Sequence, residues 1–259
     1  MAATFTLWNK HMRKFLANPM EMFGLAIQPV LWVILFGVGM KGMMTPTMPG
    51  AGDSYISFML PGIVALSALG GAVGGGSVWL NERLRGIVKE YLVAPIPRIS
   101  ILMGNALSTI TKSLFQAILI LIVGVLMGAK LASNPLGWLG GLLLVAGYGL
   151  GFSGVALATA SSTDNPGAYH SMIMLLNLPM LFLSNALYPL DTLPTWMRVG
   201  ALLNPTSYVI DGVRRMVLKD GVALAGGDVL DLWLCFAFII AFAALGMWMA
   251  YNAFKKSIE

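Results

Sequence analysis

Apolar runs long enough to cross a bilayer recur along the chain, broken by short polar interruptions. A spanning helix needs about twenty mostly apolar residues. Six runs qualify, at about 22–41, 56–80, 104–128, 136–160, 168–188 and 229–253. Three further segments follow other patterns. Over residues 4–18, Phe5, Trp8, Met12, Phe15 and Leu16 recur at helical spacing, with Lys10, Arg13 and Lys14 mostly opposite. That pattern predicts an interfacial amphipathic helix lying along the inner leaflet, and Asn18-Pro19 then turns the chain into the bilayer. Residues 190–225, following Pro189 and punctuated by Pro194 and Pro205, predict two short outer helices that dip into or lie on the outer interface.

The third segment, "LNERLRGIVKEYLVAPIPR" (80–98), concentrates charge in an apolar chain. On a helix at about 100° per residue, Leu80, Leu84, Ile87, Val88, Tyr91 and Leu92 share one face. Glu82, Arg83, Arg85, Lys89 and Glu90 share the other. The expectation is one amphipathic helix over about 81–94, with Gly86 on the polar face where a partner's backbone can approach. Pro95 and Pro97 end it, since neither continues a helix.

Composition fixes the class. The 259 residues are 58% hydrophobic and 10% charged, against roughly a quarter charged in a soluble domain. The expected fold is an all-α membrane protein: one domain over 1–259 with six transmembrane helices. The net charge of +5 sits at the ends of apolar runs, which marks topology rather than a nucleic-acid surface. With the N-terminus cytoplasmic, the inside receives Lys10, Arg13, Lys14, Arg83, Arg85, Lys89, Arg98, Lys255 and Lys256. The outside receives Lys41, Lys130, Arg198, Arg214, Arg215 and Lys219. The short loops favour both termini inside. The single Cys235 excludes an intrachain disulfide and a multi-cysteine metal site.

Two accounts of 80–98 stand side by side. It is a solvated helix whose charges only set topology, or a docking element on which both charge signs favour a protein partner over anionic lipid. "NERLRGIVKEYLVAPIPRISILMGNALS" resembles the signature of the ABC type-2 transporter permeases at Glu82, Arg83, Gly86, Glu90, Leu92, Pro95, Arg98 and Gly104, with Lys89 as a departure. "ALYPLDTLPTWMRVGALLNPTSYVIDGVRR" is similar to that family's outer segment, and residues 5–19 to its N-terminal interfacial helix.

The resemblance implies a half-transporter pairing with a second permease chain, two copies of one chain being expected, and with two copies of a separate ATPase subunit. ATP and Mg would bind the ATPase; this chain would carry no cofactor and no catalytic or metal site of its own. In keeping with that division, the sequence has no G-x-x-x-x-G-K-[ST] loop. The implied mechanism is alternating access in a bacterial inner membrane, coupled through Glu82, Arg83, Arg85, Lys89, Glu90 and Arg98. The implied lining helices, first, second and fifth, contain the polar residues Gln28, Ser67, Asn177, Ser184 and Asn185. These either face a substrate path or bond neighbouring helices. Trp32, Trp79 and Phe182 are the aromatic candidates there, and no full charge is expected deep in these helices. The expected substrate is therefore amphiphilic or lipophilic and drug-like, with a lipid-linked glycan or lipo-oligosaccharide as the second choice.

Other positions add detail. Gly70/Gly74 and Gly71/Gly75 have the small-xxx-small spacing of tight helix packing. Lys112 is expected to snorkel to the cytoplasmic interface. Arg214 and Arg215 either meet the outer exit or headgroups, or bridge to Asp211. Two other classes compete. "GFSG" (151–154) suggests a rhomboid-type protease with Ser153 as nucleophile, but His170 is its only candidate base. A secondary transporter would need an intramembrane acid or an inverted repeat, whereas Asp164 and Asp191 fall in loops.

Overall fold

The computed structural model describes residues 2–39, 55–187, 190, 193–219 and 230–256. Lys41, Pro189 and Asp191, together with residues 220–225 of the expected outer segment, lie outside these. Ten helices make up the described residues: α1 (Ala2–Leu16), α2 (Pro19–Gly39), α3 (Tyr55–Leu84), α4 (Ile87–Val93), α5 (Arg98–Leu126), α6 (Pro135–Ser161), α7 (Pro166–Phe182), α8 (Thr195–Leu203), α9 (Pro205–Val217) and α10 (Leu232–Lys256). Of these, α3 from Ile56, α5, α6 and α10 are long and apolar enough to cross a membrane, and α1 with α2 forms a pair bent by 82°. The 17-residue α7 is at the lower limit of spanning length. The chain is thus an all-helical, multi-pass membrane protein with four to five candidate spans.

One sequence device starts four of these helices. Asn18-Pro19, Asn134-Pro135, Asn165-Pro166 and Asn204-Pro205 each precede a helix whose first residue is the proline. Proline suits the first helical position, and the asparagine oxygen bonds an amide that lacks an intrahelical partner. The Oδ1 atoms accept from Glu21 N (3.3 Å), Leu136 N (3.1 Å), Gly167 N (2.8 Å) and Thr206 N (2.9 Å).

Helix α6 is the centre of the bundle, packed on α10, α3, α9 and α5. Between helices in lipid, close packing rather than the hydrophobic effect holds elements together. The α6–α10 seam is correspondingly built of glycine: a Cβ on Gly154 would lie 2.2 Å from the Gly246 carbonyl carbon, and one on Gly246 would lie 2.2 Å from Gly151 O. A second core gathers at the α1 end, where Leu7, Trp79, Leu80, Val88, Leu102, Leu157, Tyr169 and Phe254 join α1, α3, α4, α5, α6, α7 and α10.

Helix α1 is docked on α5. Leu7, His11, Met12 and Phe15 are its buried positions, and Trp8 Nε1 donates to Thr111 Oγ1 at 3.0 Å. Phe5 and Leu16, expected on the apolar face, are exposed.

At the opposite end, α8 is mostly exposed but α9 is not a surface helix. Pro205, Thr206, Val209, Ile210, Asp211, Val213 and Arg214 are buried among α6, α10 and α3. The amphipathic pattern there serves an internal polar cluster. Arg214 Nη1 stands 2.9 Å from Asp211 Oδ1, and Nη2 donates to Phe58 O and Asn185 O. Arg214 therefore forms the Asp211 bridge, and Arg215 donates to Leu230 O at 2.8 Å.

Candidate functional site

The charged stretch is two helices, not one. Helix α3 runs on to Leu84, Gly86 takes a left-handed φ of 79°, and α4 begins at Ile87. Gly86 has open space about it; its conformation, rather than a close approach, calls for glycine. The break rotates the polar residues apart. Glu82 and Arg83, at the end of α3, point into the protein, while Arg85, Lys89, Glu90 and Arg98 are exposed.

Glu82 is 5% exposed and accepts from Lys10 Nζ of α1 at 2.7 Å and from the Tyr91 hydroxyl of α4 at 3.3 Å. Lys10 also bonds the Tyr91 oxygen. One carboxylate thus holds α1, α3 and α4 together. Burial works against the Lys10 charge, but its bonds to Glu82 and Tyr91 prevail and raise its pKa. Burial likewise raises that of Tyr91. Arg83 donates to the carbonyls of Ser161 and Thr163 and to Asp164 Oδ1 (2.5 Å). These groups end α6, where carbonyls have no intrahelical donor. What remains exposed around Arg85, Lys89 and Glu90 is mixed: Leu84 (47%) and Val93 (88%) are bare apolar side chains between the charges.

A cavity of about 620 Å³ lies between α2, α3, α5 and α7. Gln28, Ser67 and Asn177 line it. Ser184 and Asn185 do not: Ser184 Oγ donates to Leu181 O at 2.7 Å, and Asn185 Nδ2 donates to Asp211 Oδ1. Of the aromatics, Trp32 lines the cavity. Trp79 is buried with its Nε1 on Ser161 Oγ at 3.0 Å, and Phe182 is half-exposed. Gly71 and Gly75 pack against Ser113 and Thr109, but Gly70 and Gly74 have nothing within 4 Å of a Cβ and open onto the cavity. Only one of the two glycine pairs is therefore a packing seam.

Charge also enters the lining. Lys112 Nζ pairs with Glu21 Oε1 at 2.7 Å and lies 4.6 Å from the centre of the Phe15 ring. Its charge is met at the first turn of α2, beside the α1–α2 bend. His11 closes the same end; burial lowers its pKa, with Glu82 opposing. Asn105, Ser108, Thr109, Lys112 and Gln116 of α5 all line the cavity. Sequence reasoning missed this stripe, although its spacing of three, one, three and four residues is that of one helix face.

The protease geometry is absent. Ser153 Oγ is buried without a hydrogen-bond partner, and His170 is exposed on α7 beside Tyr169. Among the described residues no group of His, Cys, Asp and Glu could hold a metal.

The ABC-2 type transporter family model matches residues 2–218. The transport permease ycf38 of Porphyra purpurea is 30% identical over 93% of this chain and 85% of its own length. The daunorubicin resistance ABC transporter permease protein DrrB1 of Streptomyces coeruleorubidus is 23% identical over 84% of this chain and 75% of its own. Nodulation protein J of Rhizobium leguminosarum bv. viciae is 28% identical over 78% and 77%.

Proposed function

This chain belongs to the ABC-2 type transporter family, and from that premise we propose that it is the permease subunit of an ATP-driven exporter of amphiphilic or lipophilic, drug-like solutes. Family membership implies an ABC ATPase partner. In this proposal two ATPase copies bind ATP and Mg and supply the energy, and two copies of this chain form the pathway. The bundle sits in a bacterial inner membrane with six spans, α2 and α7 included, and with both termini cytoplasmic. Helix α4 is the coupling helix and α8–α9 the outer segment.

The observation that carries the proposal is the arrangement around the α3–α4 break. The exposed side chains Arg85, Lys89, Glu90 and Arg98 offer a partner a face of both charge signs. Behind them, Glu82 and Arg83 anchor that face to α1 and to the end of α6. A displacement of α4 by the ATPase would travel through Glu82 to α1 and, past the Asn18-Pro19 bend, to α2, one wall of the cavity. Glu82 and Arg83 are then positioning residues, and the four exposed charges make the contact. Gln28, Ser67 and Asn177 belong to the substrate path, whereas Ser184 and Asn185 support the outer segment.

The test is reconstitution with the partner ATPase in liposomes. ATP-dependent movement of a lipophilic dye away from the ATPase side is expected; ATP hydrolysis without such movement for any amphiphile tried counts against export. The lipo-oligosaccharide alternative draws on the likeness to Nodulation protein J.

A further inference from the structure

The cavity lining stops at Ile63 on α3 and at Leu181 on α7. Beyond that level the turn that follows α7 is packed on α3. Ser184, Asn185 and Ala186 are buried, and a Cβ on Gly62 would lie 3.0 Å from Ala186 Cα. Side chains of α9 hold the turn there. Arg214 Nη2 donates to Asn185 O at 3.1 Å and to Phe58 O at 3.3 Å, so one guanidinium spans the turn and the start of α3. Asp211 Oδ1 accepts from Arg214 Nη1 and from Asn185 Nδ2, and its Oδ2 accepts from Leu230 N at 3.2 Å. Two features separate this cluster from a plain brace. Buried polar groups of a fixed interior are normally all bonded. Here Asn185 Oδ1 and Arg214 Nε, an acceptor and a donor of one cluster, are both buried without a partner. The helix leading into the turn is also weakened, because Pro179 has no N–H to give to Leu175 O.

We infer that the turn at 183–186 closes the outer end of the pathway, and that Arg214, with Asp211, is the positioning residue that latches it shut. Helix α9 is the fixed half of the latch. A Cβ on Gly212 would lie 2.2 Å from Leu144 Cδ1 of α6, and one on Gly141 of α6 would lie 2.5 Å from Val217. The turn is the moving half, with Pro179 as its hinge. Asp211 and Arg214 are three residues apart on α9. They stay paired when Arg214 lets go of Phe58 O and Asn185 O, so release leaves neither buried charge alone, which would be the costly outcome. The inference rests on the permease proposal only in calling this end the outer one.

Its test is made on the full chain in right-side-out membrane vesicles, with no ATP or solute added, so that its outcome is independent of export. In a Cys235→Ala background, single thiols are placed in the turn (Ser184→Cys), in the cavity lining (Ser67→Cys) and inside α6 (Ser153→Cys). A membrane-impermeant methanethiosulfonate is added from outside. With the latch intact, none of the three is expected to react. Asp211→Asn with Arg214→Gln removes both charges together, so that no lone charge is buried. In that variant the turn and lining thiols are expected to react about tenfold faster or more, as the loss of one charge-assisted hydrogen bond implies, while the α6 thiol stays unreactive. Should the double variant unfold, Arg214→Lys keeps the charge without the fork and is expected to give the same pattern, more weakly. An equal rise at Ser153→Cys, which reports general loosening, overturns the inference. So does a rise in the turn without one in the lining, reaction of the lining thiol with the latch intact, or no change at any of the three.

Discussion

Lys10 Nζ of α1 lies 2.7 Å from Glu82 Oε1 of α3, across 72 residues of sequence. The carboxylate is buried and the lysine side chain partly exposed, so the two ends of the pair are not equivalent. Lys10→Met leaves a buried charge short of a donor and is expected to cost about 1–3 kcal/mol. Glu82→Gln removes the charge itself and is expected to cost less. Thermal unfolding of the two variants side by side checks the order.

Arg83 serves three acceptors with one guanidinium. A lysine keeps the charge but not the fork. Arg83→Lys is therefore expected to lose stability by about 1–3 kcal/mol and to loosen α3 from the end of α6. Faster hydrogen exchange at residues 158–164, with α10 unchanged, is the readout.

The glycines of the bundle divide into two kinds that substitution separates. Gly154→Ala sets a methyl against the backbone of Gly246 and is expected to cost about 1–3 kcal/mol as overpacking. Gly74→Ala meets nothing, so its stability is unchanged or slightly improved while the cavity shrinks. Unfolding temperature and solute binding, measured on both, are expected to respond in opposite patterns.

His11 is neutral in the folded chain to lower pH than in the unfolded one, because burial lowers its pKa from the ordinary value near 6.5. The unfolded state then binds the extra proton first. The His11 contribution to stability is present above about pH 6.5 and is lost as pH falls through the folded pKa. His11→Gln is expected to flatten that acid limb in unfolding curves recorded from pH 7.5 to 5.

The membrane class and most helix positions were legible in the sequence because lipid imposes a length and a polarity that the residues must meet. The Asn-Pro pairs marked four helix starts for an equally local reason. The polar contacts were harder to see. Glu82 and Lys89, seven residues apart, share one face of a helical projection, and only the break at Gly86, whose positive φ a projection does not encode, leaves one buried and the other exposed. Asn185 resembled a lining residue because nothing local announces its bond to Asp211, 26 residues away. Lys112 found Glu21 at a separation of 91 residues. The stripe on α5 had a readable spacing, but which neighbour it faced depended on tertiary packing.

The central claim is that the exposed charges of α4 pass the work of an ATPase to the bundle. The most direct measurement is substrate-stimulated ATP hydrolysis by the permease–ATPase complex in nanodiscs, with Lys89→Glu and Glu90→Lys combined in the permease. The account predicts an unchanged unfolding temperature for the permease and a loss of stimulation of about tenfold or more, equivalent to about 1.4 kcal/mol of docking. Full stimulation and intact assembly in that variant would contradict it.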